Sequence, residues 1–222
     1  MNVRKHREKA ERIDIVKPVA FESEEELRRH LPEVDAIYDE CVREGVVEFF
    51  LRACPEYFTY KPASSTGKYH PPDESDERGT WLHTKRVFYE YANMSESLLE
   101  LQEITEHERE CGKAAALIHD TFNYGWPSEN RDMTTSEHDV IAAAVANFTI
   151  GMPEEVIHLV HSHMGPWGNG KLPETKNERC FHLADKSAAA PNHTQAVYYP
   201  SETLKEAFPD LEAVNISEDE VV

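Results

Sequence analysis

The adjacent residues His119 and Asp120 carry the sharpest chemical signal in the sequence. They end the apolar run AAALI and precede the irregular segment TFNYGWPSENRD. Neighbouring residues on an α-helix point about 100° apart, but at a helix end both side chains can converge on one cation just beyond the final turn. Imidazole and carboxylate suit Zn, Mn, Fe, Co or Ni, and a carboxylate can also bridge two ions. The pair therefore predicts a divalent transition-metal site with one or two ions.

Two more potential ligands flank this pair at a distance along the chain. His83 lies upstream in WLHTKRV, in the first turn of a predicted amphipathic helix, and Asp185 lies downstream in FHLADKSAAA, within another. An HD dipeptide alone is weak evidence, because a surface histidine beside an aspartate is common. The order His, His-Asp, Asp fits three helices that pack around one ion.

A succession of helix signals positions these residues, with little of the alternating pattern that indicates strands. Ser23 and the glutamates after it form a capping box that predicts a short helix. Pro32 then begins a helix whose apolar face extends through Phe49 and Phe50. Residues 55–80 are rich in Pro, Gly, Ser and charge, which predicts a long irregular segment of the kind that often carries function.

Five further helices are predicted around the potential ligands, each from its own start signal. They run from Trp81 to about Ser95, from Thr105 to His119, from Thr134 or Thr135 to Phe148, from Pro153 to His163, and from about Glu174 to Ala190. The expected fold class is all-α. We expect one domain over residues 21–210, an N-terminal extension over 1–20 and an acidic tail over 211–222.

Composition narrows the classes of function. The 222 residues include 42 acidic and 23 basic ones, a formal net charge of −19. Such a surface repels phosphates, so we expect no extended nucleic-acid footprint. An acidic surface is also an adaptation of halophilic proteins to high salt, and in that case the charge says little about the substrate.

The sequence also favours a location in the cytoplasm. The N-terminus is charged and lacks the apolar core of a secretory signal, and no apolar run is long enough to cross a bilayer. The four scattered cysteines are expected to be free thiols, because no CxxC pair occurs. We expect no membrane partner, while a homo-oligomer stays open.

Five segments together resemble a known family. They are GKYHPPDESDERGTWLHTKRV, ALIHD, SEHDVIAAAVA, HSHMG and RCFHLADKSAAA. Over roughly residues 60–190 the chain is similar to the HD superfamily of metal-dependent phosphohydrolases, and in detail to the HD domain of YhaM-type 3′-to-5′ exoribonucleases and related phage and archaeal proteins. The resemblance implies an all-α HD-domain helical bundle.

The resemblance also implies roles for particular residues. His83, His119, Asp120 and Asp185 match the ligands of a first metal ion, and His138 and His163 match ligands of a second. Asp120, His138 and His163 are then the catalytic residues, with Asp120 orienting a metal-activated water or accepting its proton.

Several residues near these positions are candidates for contact with a substrate. Lys68, His70 and Lys186 could contact a phosphate as point charges, although a solvated side chain is the commoner explanation for each. Lys85 and Arg86 have the same two explanations. Trp126 and Trp167 could stack on a base or pack beneath a loop. His161 is a candidate to orient a metal ligand. His182 could orient the site or only pack, and His158 is expected on the helix surface.

The expected function is hydrolysis of a nucleotide or short phosphodiester, with a small nucleotide or short oligonucleotide as the substrate. The chain departs from the family pattern in two places: ThrPheAsnTyrGly follows the HD pair where Gly-Lys is frequent, and HisMetGly stands where paired histidines are frequent. It also has no companion OB-fold domain, so exonuclease activity is not carried over. A nucleotide-binding regulator with a degenerate site and a di-iron oxygenase are the alternatives.

Overall fold

Eight α-helices and no β-strand occur in residues 6–11 and 18–190, which are the residues that the computed structural model describes. The predicted all-α fold class is confirmed. In chain order the helices are α1 (Arg7–Glu11), α2 (Glu24–His30), α3 (Glu40–Arg52), α4 (Gly79–Glu100), α5 (Glu106–Ile118), α6 (His138–Val145), α7 (Glu154–Ser162) and α8 (Lys176–Ala188). Helix α6 continues into one π turn, Ala146–Ile150.

Local capping chemistry sets the starts of the helices that matter most for the site. Thr105 and Glu108 form a complete capping box at the start of α5, and Thr175 and Glu178 form another at the start of α8. Each side chain accepts a hydrogen bond from a backbone N–H that the helix leaves without a partner. The predicted start of α5 is therefore confirmed, and α7 begins directly after Pro153 as predicted.

The single helix predicted from Pro32 to Phe50 is wrong. A short 3-10 helix, Pro32–Ala36, ends before α3 begins at Glu40. Asp39 separates them, because it has an extended backbone and its carboxylate accepts a hydrogen bond from the N–H of Val42, 3.2 Å away. A tertiary contact stabilises this break between the helices, because Lys113 Nζ of α5 donates a hydrogen bond to the carbonyl of Ala36 at 3.0 Å.

The predicted start of α6 at Thr134 or Thr135 is also wrong, because the helix begins at His138. The backbone N–H of Thr135 donates to the carbonyl of Asn123 at 2.8 Å, and the N–H of Thr134 donates to Ser65 Oγ at 3.3 Å. These bonds tie the segment to neighbouring loops.

The irregular segment predicted over residues 55–80 is confirmed up to residue 78, because α4 begins at Gly79 and not at Trp81. The segment packs closely against the start of α4. It contains two 3-10 turns, Glu56–Thr59 and Pro72–Ser75. The carbonyl of Glu74 accepts a hydrogen bond from the N–H of Ala63 at 2.8 Å, and a Cβ at Gly79 would lie 1.9 Å from that same oxygen. This close approach buries the Glu74 side chain completely beside α4.

Five helices meet at one end of the bundle. Helix α4 packs against α5 and α8, and α7 packs against α5, α6 and α8. Helices α4 and α6 begin at this end, whereas α5, α7 and α8 finish there. Small side chains allow the helices to approach closely, because alanines 114–116 of α5 and 142–144 of α6 are fully buried. Polar side chains at five helix ends are thereby brought together.

The two ends of the chain differ in what the structure describes. Helix α1 packs against α6, and its Ala10 is fully buried in the core. The predicted tail over 211–222 and the end of the predicted domain, 191–210, lie outside the described residues. All four cysteines are free. Within the described part of the chain, no helix is long and apolar enough to cross a membrane.

A single glycine controls the fit between α4 and α5. A Cβ at Gly112 would lie 1.9 Å from Cζ of the buried Tyr91, whose hydroxyl donates to Asn177 Oδ1 of α8 at 2.6 Å. We expect Gly112→Ala to lower the free energy of unfolding by about 1–3 kcal/mol, the usual cost of overpacking a core. Urea denaturation followed by circular dichroism measures this change.

Gly45→Ala in α3 is the matched control. There the new Cβ would lie 3.4 Å from the flexible end of Met152. It should raise the free energy of unfolding by about 0.5–1 kcal/mol, because alanine removes the entropic cost of a glycine inside a helix. Equal stabilisation by both variants would contradict the packing that we describe.

Candidate metal centre

Six side chains converge where the five helices meet. They come from the start of α4, the residues just after α5, the first residue of α6, the residue just after α7 and the last turn of α8. In that order they are His83, His119 and Asp120, His138, His163, and Asp185. The structure thus brings together all six residues that the sequence predicted as metal ligands.

The Asp120 carboxylate lies in the middle of this set. Its Oδ1 is 3.2 Å from His138 Nε2, 3.4 Å from His163 Nε2 and 3.6 Å from His119 Nε2. Its Oδ2 is 3.8 Å from His83 Nε2. Two sets of three ligand atoms therefore share Asp120, each with its atoms within 4.8 Å of one another: His83, His119 and Asp120, and Asp120, His138 and His163.

Asp185 completes the first of these sets. Its Oδ1 lies 3.0 Å from His83 Nε2 and 3.8 Å from His119 Nε2. A divalent ion in this set would meet two imidazoles and two carboxylates, a donor combination that Mn, Fe, Co, Ni and Zn accept. A second ion would share Asp120 and be held by two further imidazoles.

The other ring nitrogen of each histidine is held by an oxygen acceptor. Nδ1 of His119 donates to the carbonyl of Ala116 at 2.9 Å, and Nδ1 of His163 donates to the carbonyl of Val160 at 2.7 Å. Nδ1 of His138 donates to the carbonyl of Thr135 at 2.6 Å. Carbonyl oxygens only accept, so each neutral ring carries its proton on Nδ1 and directs the lone pair of Nε2 inward. Metal-binding histidines have this arrangement.

The inward-facing ring nitrogens leave a place for a positive charge between them. His138 Nε2 and His163 Nε2 lie 3.1 Å apart and face the same carboxylate. The fully buried His119 Nε2 has no hydrogen-bond partner within the described residues. A buried polar atom without a partner costs free energy, and a cation at the centre removes that cost. The residues present therefore fit a bound metal.

The ionisation of these groups is set by burial and by their charged neighbours. Burial lowers the pKa of His119 to about 4, which keeps the ring neutral at neutral pH. Burial alone would raise the pKa of Asp120, but the neighbouring histidines hold it well below its usual value. Burial alone would likewise lower the pKa of His83, but Glu74 and Asp185 hold it well above its usual value. Metal binding at His83 must therefore release a proton.

Glu74 is one of two residues of the site that the sequence did not predict. Its Oε2 accepts hydrogen bonds from His83 Nδ1 at 3.1 Å and from His70 Nδ1 at 2.7 Å, and its Oε1 pairs with the buried Arg86. It therefore orients His83 as the carbonyls orient the other histidines. Glu74 stands in the acidic run DESDE, where nothing local distinguishes it from its neighbours.

Asn123 was missed as well. Its Nδ2 lies 3.4 Å from Asp120 Oδ2 and donates to the carbonyl of Ala63 at 2.8 Å. It links the carboxylate to the irregular segment. Its position three residues after Asp120 was the only clue in the sequence.

The predicted phosphate contacts fall into three groups. His70 and Lys186 line the cavity over the centre. Lys68 does not line it, and its amine lies over the ring of Tyr69. Lys85 and Arg86 are not available to a substrate, because both are buried and form ion pairs, Lys85 with Glu33 and Arg86 with Glu74 and Asp73.

The two tryptophans that were candidates for stacking on a base lie in different environments. Trp126 packs beneath its loop, where it is buried and its Nε1 donates to His6. Trp167 is exposed at the cavity, and its ring stacks on His182 at a centroid distance of 5.9 Å. The Lys186 amine lies 4.5 Å from the centre of the Trp167 ring.

Three further histidines that the sequence placed near the site occupy different positions. His182 supports the centre, since its Nδ1 donates to the carbonyl of His163. His158 is exposed on α7, 3.4 Å from Glu154. His161 is half-buried, and its carbonyl accepts a hydrogen bond from the N–H of Lys171.

A cavity of about 560 Å³ opens directly over the centre. His83, Asp120, His138, His163 and Asp185 form its floor, and Tyr69, Trp167 and Lys186 belong to its walls. This volume is within the roughly 300–1,000 Å³ of typical small-molecule sites. A ligand of nucleotide size can therefore reach the ligand atoms from solvent.

The fold and the site together place this chain in a class: all-α proteins with a candidate two-metal centre, in which two groups of His and Asp ligands share one carboxylate. A scan against protein-family profiles matches the HD domain over residues 80–190, half of the chain. The chain therefore belongs to the HD domain family, which binds divalent metals and consists generally of hydrolases. The match includes all six converging residues. No curated protein and no solved structure matched the chain.

Loss of the shared carboxylate should abolish metal binding at this centre. We expect Asp120→Ala to weaken Mn²⁺ binding by more than the roughly 10–100-fold that loss of a supporting partner costs. Isothermal titration calorimetry measures the affinity. His158→Ala, on the exposed face of α7, should bind Mn²⁺ as the unaltered protein does. Unchanged Mn²⁺ affinity in Asp120→Ala would exclude the centre.

Glu74→Gln tests the support of His83. The neutral amide keeps the size of the side chain but removes the charge that holds the Nδ1 proton, so we expect about 10–100-fold weaker Mn²⁺ binding. Glu77→Gln changes an exposed acid of the same segment and should leave the affinity unchanged. If both variants bind Mn²⁺ equally well, Glu74 has only a packing role.

Proposed function

We propose that this protein hydrolyses the phosphate ester of a nucleotide or short phosphodiester, with two divalent ions at the centre. The observation that carries the proposal is the position of Asp120, whose carboxylate faces both sets of ligands at the floor of an open cavity. When bound, such ions supply a nucleophilic water at neutral pH and neutralise charge on phosphoryl oxygens.

The protein's own residues would hold and orient the reactants. Asp120 orients the attacking water, because its two oxygens lie between the two sets of ligands. His138 and His163 hold the second ion through Nε2 while their Nδ1 atoms remain bonded to carbonyls. Lys186 supplies a positive charge at the cavity wall for a substrate phosphate.

The walls favour a substrate that carries a base. Trp167 presents an exposed ring braced by His182, and stacking on such a ring contributes about 1–3 kcal/mol per base. The net charge of −19 opposes long nucleic acids, which place many phosphates against the surface. Short single-stranded oligonucleotides therefore stand beside mononucleotides as substrates.

A hydrolysis screen with bound Mn²⁺ tests the proposal. It contains nucleoside mono- and triphosphates, cyclic dinucleotides, short single-stranded oligonucleotides and a generic phosphodiester. We expect turnover of at least one class, loss of turnover with chelator, and an Asp120→Ala rate at least about 1,000-fold lower. That factor corresponds to the several kcal/mol of charge stabilisation that metal ions supply, at about 1.4 kcal/mol per tenfold in rate. His158→Ala should retain full activity.

Three outcomes would overturn the proposal. Thermal stabilisation by a nucleotide without any product would indicate a nucleotide-binding regulator. Oxygen uptake by the iron-loaded protein, with no phosphate ester hydrolysed, would indicate a di-iron oxygenase. Full activity in a metal-free Asp120→Ala protein would exclude metal-dependent hydrolysis altogether.

A further inference from the structure

A second cluster of potential ligands lies at the opposite end of α5. His107 and Cys111 stand one helical turn apart in α5, Glu155 lies in the first turn of α7, and Asp39 precedes α3. From His107 to His119 the helix rises about 18 Å, at about 1.5 Å per residue. The cluster therefore shares no residue with the centre described above.

Three different donor atoms converge in this cluster. His107 Nε2 lies 3.5 Å from Cys111 Sγ. One ligand atom each from His107, Cys111 and Glu155 all lie within 4.8 Å of one another. His107 and Glu155 are exposed, whereas Cys111 is buried beneath them. The donors come from two helices that pack together.

Asp39 orients the imidazole toward the other donors. Its Oδ2 accepts a hydrogen bond from His107 Nδ1 at 2.8 Å, while its Oδ1 accepts one from the N–H of Val42. The proton of a neutral His107 ring therefore resides on Nδ1, and the lone pair of Nε2 faces Cys111. A carboxylate behind a histidine in this way is the usual support for a metal ligand.

We propose that His107, Cys111 and Glu155 form a second metal site, for Zn²⁺ or a similar ion that accepts sulfur, nitrogen and oxygen donors. Zinc commonly takes three protein ligands and a water, and the exposed side of the cluster leaves room for that water. Binding forms the metal–sulfur bond and releases the thiol proton to solvent. A thiolate and a carboxylate then balance the charge of a divalent ion.

The same arrangement could instead be taken for a nucleophilic cysteine with a His-Asp pair. Reactive thiols have electropositive surroundings that favour the thiolate. Here Cys111 is buried, and the carboxylates of Glu155, Asp39, Glu108 and Glu110 are close enough to act on it electrostatically. Carboxylates on several sides oppose a free thiolate but attract a cation. The electrostatics therefore favour metal binding.

Titration with Co²⁺ tests the site, because only a thiolate ligand produces an intense near-ultraviolet charge-transfer band. The histidine and aspartate centre has no thiol, so it contributes no such band. We expect the band to grow with added Co²⁺ and to disappear when Zn²⁺ is added. Cys111→Ser should abolish it, and His107→Ala, which alters an exposed side chain, should weaken Co²⁺ binding at least about tenfold.

Two control variants and one further test variant isolate the cause. Cys41→Ser removes the exposed thiol nearest in sequence to Asp39 and should keep the band. Asp120→Ala should also keep it, so the result does not depend on the proposed hydrolase activity. Asp39→Asn replaces one good helix-capping residue with another, so α3 should persist. Co²⁺ binding should weaken about tenfold, because the charge behind His107 is lost.

Two results would overturn this proposal. The first is the absence of a charge-transfer band in the folded protein at saturating Co²⁺. The second is a band that survives both Cys111→Ser and His107→Ala. Because all the variants are compared by absorption and circular dichroism, a protein that fails to fold is recognised separately.

Discussion

The structure depends on a buried carboxylate, Asp120, surrounded by the Nε2 atoms of four histidines at 3.2–3.8 Å. Taking such polar groups out of water is costly unless charge and hydrogen bonds compensate. A cation at the centre would supply the charge, and oxygen acceptors behind the histidines supply the hydrogen bonds. The bundle therefore brings helix ends and backbone carbonyls to one place that fits a metal ion.

The hydrogen bonds that satisfy carbonyl groups at the ends of two helices also orient two of the candidate metal-binding histidines. The last turn of any helix leaves carbonyl oxygens without an intrahelical partner. In α5 and α7 the carbonyls of Ala116 and Val160 receive the Nδ1–H of the histidine that ends the helix. One hydrogen bond thus satisfies a helix end and directs a ring nitrogen inward. The alanine-rich faces of α5 and α6 let the helices approach closely enough for these histidines to share Asp120.

The two ends of α5 offer different environments to a cation. At its carboxyl end the donors are buried below a cavity that admits a substrate, which suits chemistry. At its amino end His107 and Glu155 are exposed above one buried thiol, which suits an ion that joins α5 to α7. Both sites orient a histidine through an oxygen behind Nδ1, a carbonyl at His119 and a carboxylate at His107.

The sequence alone determined the all-α class and the starts of α5 and α7, because capping and helical periodicity are local. The resemblance of its ordered His and Asp motifs to a known family implied the six residues that converge. Only the tertiary structure decided the break before α3 and the late start of α6, since contacts from distant segments impose both. It also decided the role of Glu74, whose neighbours in sequence are equally acidic. Burial beside His83 and Arg86 distinguishes it, and burial is a property of the packed chain.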